Sequence, residues 1–294
     1  MIPAYPKVYS LGHKAIKNIF STPVLVEEKI DGSQFSFMIN ENGELFCRSK
    51  NVQLNLDNPD ALFNKAVDIV KSIKDKLIPG WIYRAEYLQR PNHNVLKYSR
   101  VPSNHLIGFD IEVGLQEFAN YDIKKFEFEQ IGLECVPKLY EGEINSVDEI
   151  KSLLETESVL GGEKIEGIVI KNYNLFTDEK KIMIGKFVSE RFKETAKEVW
   201  KAGENPVIAL GKSLATEARW LKAVQHLAEN GELEFSPRDI GKLMSEIIND
   251  TLEEEKDFIK DSLYSIFIKD IKREITRGFP EWYKNYLLER SFDA

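Results

Sequence analysis

The sequence predicts an α+β fold in which antiparallel sheets with flanking helices fill residues 1–192 and a small all-α domain fills residues 193–294. Three observations carry this. Up to about residue 190, short β-branched or alternating segments are separated by turn residues and amphipathic helices. Past that point the strand-like segments stop and apolar residues recur at helical spacing. Asn40-Glu41-Asn42-Gly43 supplies hairpin turn chemistry, which makes its two flanking strands antiparallel.

In chain order the strands are Val24–Ile30, Gln34–Asn40, Glu44–Arg48, Trp81–Leu88, His105–Val113, Cys135–Tyr140, Ile165–Asn172 and Ile182–Val188. Pro59 at a first-turn position, followed by Leu62, Phe63, Ala66, Val67, Val70, Ile73 and Leu77, predicts a helix lying on a sheet face. Ser146 with Glu149 reads as a capping box opening a second helix that runs to Leu154, and Gly161-Gly162 is a flexible approach to the next strand. Helices are then expected over Ser189–Trp200, Leu214–Glu229, Pro237–Asn249, Leu252–Thr276 and Pro280–Glu289. Ser236-Pro237-Arg238-Asp239 marks one start, and Ile240, Leu243, Met244, Ile247 and Ile248 form a stripe that reads as core packing.

A chain of 294 residues can bury a full core, and 43% hydrophobic with 30% charged residues is the composition of a soluble globular protein. No run approaches the roughly 18 apolar residues of a membrane span, and Met1–Ser10 lacks a signal-peptide core, so a cytoplasmic protein without membrane partners is expected. Cys47 and Cys135 stand far apart without metal-ligand spacing, which argues against a disulfide framework and against zinc. The net charge of −8 gives no general polyphosphate-binding signal. Residues 195–294 hold 15 Lys+Arg against 19 Asp+Glu, so the acidity is spread over both parts and any cationic site must be assembled by folding. Lys269, Lys272, Arg273 and Arg277 form either a phosphate-contacting strip or a solvated helix face.

Glu28-Lys29-Ile30-Asp31-Gly32 places a lysine at a strand end, followed by a carboxylate and by a glycine free to turn tightly or to let a phosphate approach. An amine attacks phosphorus only when unprotonated, so a nucleophilic Lys29 calls for a pKa lowered by burial or by nearby cations; a turn lysine in solvent is the plain alternative. Further along, Arg48 ends the hairpin and could reach the same phosphate. Glu86, flanked by apolar residues, could accept from ribose hydroxyls or hold a metal-bound water, or be half of a buried salt bridge. Phe109 offers a face to a purine, or is core. Glu166 and Lys171 sit at opposite ends of a β-branched strand and point to opposite faces if that strand is regular. Lys186 is a lysine in an otherwise apolar strand, placed to neutralise an α-phosphate and lower the pKa of Lys29.

This ordered set, over about residues 20–190, resembles the covalent nucleotidyltransferase superfamily of ligases and messenger-RNA capping enzymes. Within it the chain looks most like ATP-dependent RNA ligases of the nick-sealing, RNA ligase 2 type, because Glu28-Lys29-Ile30-Asp31-Gly32-Ser33-Gln34 is followed by a helical C-terminal region rather than a β-rich OB domain. The resemblance implies a nucleotidyltransferase (ATP-grasp-like ligase) domain and an AMP carried on Lys29. It implies catalytic roles for Lys29, Arg48, Glu166 and Lys186, and nucleotide contacts by Glu28, Lys29, Gly32, Gln34, Glu86, Phe109, Lys171 and Lys186. Mg2+ or Mn2+ at Glu166 and Glu86, ATP, and RNA ends or nicked duplex RNA as partners of a monomer follow from the same resemblance. The sequence departs from the pattern twice: Ile184 stands where the last block commonly has a lysine, leaving Lys186 with Lys171, Lys180 or Lys181 as replacements, and Gln34 stands where asparagine is common. A DNA ligase, a GTP-using capping-type transferase and a non-catalytic RNA-end-binding module remain open.

Overall fold

The computed structural model describes residues 1–59, 61–91, 96–188 and 205–292. The chain divides into two compact units, Met1–Lys193 with Val224–Leu233, and Glu194–Ala223 with Glu234–Ala294. Among the described residues no helix is long and apolar enough to cross a membrane.

The first unit holds two sheets. One is built from β1 (Tyr9–Ser10), β2 (Val24–Lys29), β9 (Lys138–Gly142), β10 (Gly167–Phe176) and β11 (Ile182–Val188), in the order β1-β11-β10-β2-β9. The other runs β4-β3-β5-β6-β7 through β3 (Ser33–Ile39), β4 (Leu45–Ser49), β5 (Ile82–Tyr87), β6 (Leu106–Gly114) and β7 (Glu117–Phe118), with β8 (Glu134–Cys135) added beside β6. Pairing is antiparallel except for β1 with β11 and β6 with β8.

Strand alternation sorts the side chains of each sheet into two unlike faces. In the β3 sheet, Phe35, Phe37, Cys47, Tyr83, Ala85 and Tyr87 share a core with α1 (Asn64–Ile73) and with Phe128 of α2 (Tyr121–Gln130). Gly108 admits that ring, because a Cβ there would stand 2.2 Å from Phe128. In the β2 sheet, Val24, Val26, Ile168, Ile170 and Met183 pack with Ile150 of α3 (Val147–Leu153) and with Ile16 and Ile19. The opposite faces carry charge. In register lie Gln34 with Glu86, Ser36 with Arg48 and Arg84, and Arg84 with Asp110 in one sheet. The other sheet sets Lys29 beside Gly167, Glu27 beside Val169, Val169 beside Lys186, and Lys171 beside Ile184. These charged faces meet each other, as the 3.1 Å contact of Lys171 with Asp110 shows.

Seven of the eight expected strands form as single strands, Ile182–Val188 with the expected ends and the others with shifted ends. The segment expected as one strand over 135–140 is divided: β8 joins one sheet and β9 the other, because Pro137 between them has no N–H for a ladder. Helix α1 begins at Asn64 rather than near Pro59. Helix α2 is additional; its buried positions are Lys124 and Phe128, and a charged residue on the inner face hides the apolar period.

The second unit contains α4 (Pro206–Leu214), a capping box at Ser236 and Asp239, α6 (Ile240–Glu254), α7 (Lys256–Ile275) and α8 (Phe279–Phe292), while α5 (Glu217–Glu229) spans the division between the units. Arg219 is fully buried and reaches Asp250 (3.5 Å) and Glu255 (3.1 Å). The stripe on α6 is not the core it was expected to be: Ile240, Met244 and Ile248 are 57%, 58% and 53% exposed. Leu243 and Ile247 are half-buried, and ion pairs of Asp250 and Glu254 with Arg219 and Lys222 also tie α6 down. In the basic strip, Arg273 pairs with Asp270 (3.0 Å) and Arg277 with Glu274 (2.9 Å), as a solvated helix face does. The helix expected over 189–200 lies outside the described residues.

Candidate active site

Lys29 ends β2, where the strand leaves the sheet, and its Nζ stands 2.6 Å from Glu166 Oε2, with 27% and 13% of the two side chains exposed. Gly167 brings Glu166 there. A Cβ at Gly167 would meet the Phe187 carbonyl at 2.5 Å, so only glycine lets β10 start this close to β11. Around the pair, Asp31 and Glu86 act on Lys29, and Lys186 acts on Glu166. Gln34 is the register partner of Glu86. Lys29, Glu166, Glu86, Gln34 and Lys186 are therefore brought together from both sheets.

The electrostatics correct one expectation. Burial alone would lower the pKa of Lys29, but the charges of Glu166 and Asp31, the hydrogen bond to Glu166 and the charge of Glu86 outweigh it and hold the amine above its ordinary value. Lys29 is thus a protonated partner of Glu166 here, since carboxylates rather than cations surround it. Burial raises the Glu166 carboxyl against the pull of Lys29. Burial pushes Glu86 up to about 8, opposed by Lys29 and reinforced by Asp31 and Glu166.

This gives a pH prediction. Between the ordinary carboxylate range and pH 8 the folded chain keeps a proton on Glu86 that the unfolded chain has released, so this group makes stability fall as pH rises through that window. Urea unfolding at pH 5 and 8.5 is expected to show Glu86→Gln losing less stability than the parent, by up to about 2–3 kcal/mol. Equal losses in the two proteins would remove the assignment.

Among the described residues no three His, Cys, Asp or Glu side chains converge as a metal cage. A hard cation bound together with substrate phosphates needs only one or two carboxylates. Glu86 Oε2 is buried without a hydrogen-bond partner and Glu166 lies beside it electrostatically, so this pair fits such an ion.

Lys171 occupies a different setting. It lies opposite Ile184 in register, the place of the absent lysine, whereas Lys180 and Lys181 lie at the far β10–β11 turn. Its amine contacts Glu27 (2.6 Å) and Asp110 (3.1 Å) and donates to the Phe109 carbonyl (2.5 Å). Burial would lower its pKa, but Asp110 and Glu27 hold it above the ordinary value. Lys124 of α2 pairs with the same Glu27 and donates to the same carbonyl (2.8 Å). Tyr173 donates to Asp110 (2.6 Å), and Arg84 donates to Glu112 (2.6 Å) and Ser36 (3.0 Å). The Phe109 ring is half-buried, with the Lys171 amine 5.5 Å from its centre.

Three expected residues are engaged by the fold itself. Glu28 lies on the opposite face of β2, buried, and accepts from Ser158 Oγ (2.5 Å) and Val159 N (3.0 Å), which fixes the 158–159 turn. Gly32 serves the approach of the chain itself, because a Cβ would stand 2.9 Å from Leu88 and 3.0 Å from the Tyr87 carbonyl. Arg48 donates to the Asn51 carbonyl (3.1 Å) and leaves a buried Nε without a partner, on the same face as Ser36 and Arg84. The sequence marked Asp31 as the carboxylate after Lys29 but gave it no role; its carboxylate accepts from Leu96 N (2.9 Å), and Tyr98, which the sequence did not mark, accepts from Asp31 N with its hydroxyl (2.8 Å). Sequence reading also passed over Glu27 and Lys124; a carboxylate within Val24-Leu25-Val26-Glu27 was the available signal for the first.

Residues 22–188 match the family described as RNA ligase. Among solved structures, Naegleria gruberi RNA ligase with PPi is 16% identical over 65% of this chain and 57% of that one, with a TM-score of 0.43. A putative ATP-dependent DNA ligase from Aquifex aeolicus is 16% identical over 95% of this chain and 68% of that one, at 0.46. A mutant of the Naegleria gruberi enzyme with ATP and Mn is 17% identical over 65% and 57%, at 0.45. The chain thus spans little more than half the length of the Naegleria proteins it matches. No curated protein matches the sequence.

Proposed function

The chain belongs to the RNA ligase family through residues 22–188, and from that premise we propose that it is an ATP-dependent RNA ligase, a cytoplasmic monomer joining 3′-hydroxyl and 5′-phosphate RNA ends. On this reading residues 1–192 carry adenylyl transfer and residues 193–294, apart from Val224–Leu233, which clusters with the first unit, help hold RNA. The observation that carries the reading is the Lys29 amine at a strand end, 2.6 Å from Glu166 and shared electrostatically with Glu86 and Asp31.

Lys29 Nζ must first lose its proton, and Glu166 is the acceptor within reach. The freed amine then attacks the α-phosphorus of ATP; a nitrogen–phosphorus bond forms and pyrophosphate leaves. An oxygen of the RNA 5′-phosphate displaces Lys29, giving an adenylylated end, and the 3′-hydroxyl attacks that end and releases AMP. Lys186, on the face shared with Lys29, offers charge to the phosphate, and Lys171 does so once it leaves Glu27 and Asp110. Mg2+ or Mn2+ held by Glu166 and Glu86 would offset the charge that builds on the phosphate oxygens.

Incubation with α-labelled ATP or GTP, followed by a denaturing gel and by assays on nicked RNA and nicked DNA duplexes, tests the reading. Label from ATP and sealing of RNA are expected. Label from GTP would move the chain to the capping type, sealing of DNA alone to the DNA ligases, and absence of label after pyrophosphate treatment to a binding module.

A further inference from the structure

The segment ahead of β1 contributes to the junction between the sheets, although no sequence block marks it. Ile2 is buried and its N donates to Gln53 Oε1 (3.2 Å). The Pro3 carbonyl accepts from Arg84 Nη1 (3.0 Å). Tyr5 donates its hydroxyl to Asp110 Oδ2 (2.5 Å), and its ring meets Phe109 edge-on at 5.2 Å. The Arg84 guanidinium lies 5.7 Å from the Tyr5 ring centre. The chain then enters the other sheet, where Ser10 pairs with Lys186 and Leu11 N donates to the Lys186 carbonyl (2.8 Å). Within ten residues it touches Phe109, the carboxylate that holds Lys171, and the backbone of Lys186. Burial and the charge of Asp110 raise the Tyr5 hydroxyl well above its ordinary pKa, so it stays a donor.

We propose that residues 2–11 are a wall of the nucleotide site and that Tyr5 is its positioning residue, setting the Phe109 ring and, through Asp110, the Lys171 amine. The inference rests on the nucleotide reading of this junction. Asp110 is held by Tyr5 and Tyr173 on separate oxygens, which leaves it a fixed partner for Lys171. Removing the Tyr5 hydroxyl frees one oxygen to draw Lys171 closer and away from a phosphate; removing the ring also takes away the lateral support of Phe109.

Equilibrium dialysis with α-labelled ATP and GTP, together with the ATP dependence of lysine labelling, compares the full chain with Tyr5→Phe and Tyr5→Ala. Tyr5→Phe is expected to weaken ATP binding about tenfold, as loss of a hydrogen bond to a charged group does, and Tyr5→Ala more. The labelling rate at saturating ATP should fall less than ATP affinity does, the split between binding and turnover that a positioning residue gives. A purely structural role would lower the melting temperature without moving ATP affinity, and parent-like ATP binding by folded Tyr5→Phe and Tyr5→Ala overturns the proposal. If Tyr5→Ala does not fold, Tyr5→Phe decides alone. A parent that binds ATP but forms no adduct overturns the ligase reading and leaves the Tyr5 comparison to dialysis; a parent that binds neither nucleotide overturns both.

Discussion

Lys29→Ala is expected to abolish the covalent nucleotide adduct and to lower RNA joining by at least about three orders of magnitude, the scale of losing a nucleophile. Lys29→Arg should be equally inactive, because a guanidinium stays protonated and has no lone pair to offer phosphorus. Both proteins should still bind ATP, since Lys186, Glu86 and Gln34 stand on neighbouring strands that do not depend on the Lys29 side chain. The pH profile carries further information. With Glu166 and Asp31 holding the amine above its ordinary pKa, the unprotonated fraction in the free protein grows as pH rises across the neutral and alkaline range. Labelling of the parent at limiting ATP should climb over that range, by up to about tenfold per pH unit. Label that survives on Lys29→Ala would show that another residue is the nucleophile.

Lys124→Met should cost about 3–5 kcal/mol of stability, the penalty for leaving a buried charge without its partner. Two carboxylates, Glu27 and Asp110, and two amines, Lys124 and Lys171, close a buried neutral set. Without Lys124 one negative charge has no counterpart, and Lys171 must serve both carboxylates. Glu27→Gln in the same chain should return part of the loss, and a double-mutant cycle read by urea unfolding isolates the coupling. A cost below about 1 kcal/mol would mean that water or another cation replaces the amine.

The fold was legible wherever side-chain period and burial agree. Phe35 and Phe37 alternate with Gln34 and Ser36, and the two rings enter the apolar core while Ser36, equally buried, faces Arg84 on the charged side. Legibility failed where a charged residue was buried. Lys124 on the inner face of α2 concealed that helix, and the exposed side of α6 carries Ile240, Met244 and Ile248, so apolar spacing there did not mean core. In the site, Lys29, Glu166, Glu86, Gln34 and Lys186 were readable as a set and stand together, while Glu28 faces away because adjacent strand positions point to opposite sides.

By itself the sequence determined seven of the strands up to residue 188, the lysine at a strand end, and the order of the charged blocks, since these are local properties of period, turn chemistry and spacing. Only the tertiary structure decided which charges meet. Glu166 is 137 positions from Lys29, Asp110 is 105 from Tyr5, and Lys124 is 97 from Glu27, separations across which no local pattern reports contact. The protonation of Lys29, the engagement of Lys171 and the place of Tyr5 follow from sheet register and from how the two charged faces are set against each other, because the energy of a charge depends on what surrounds it in space.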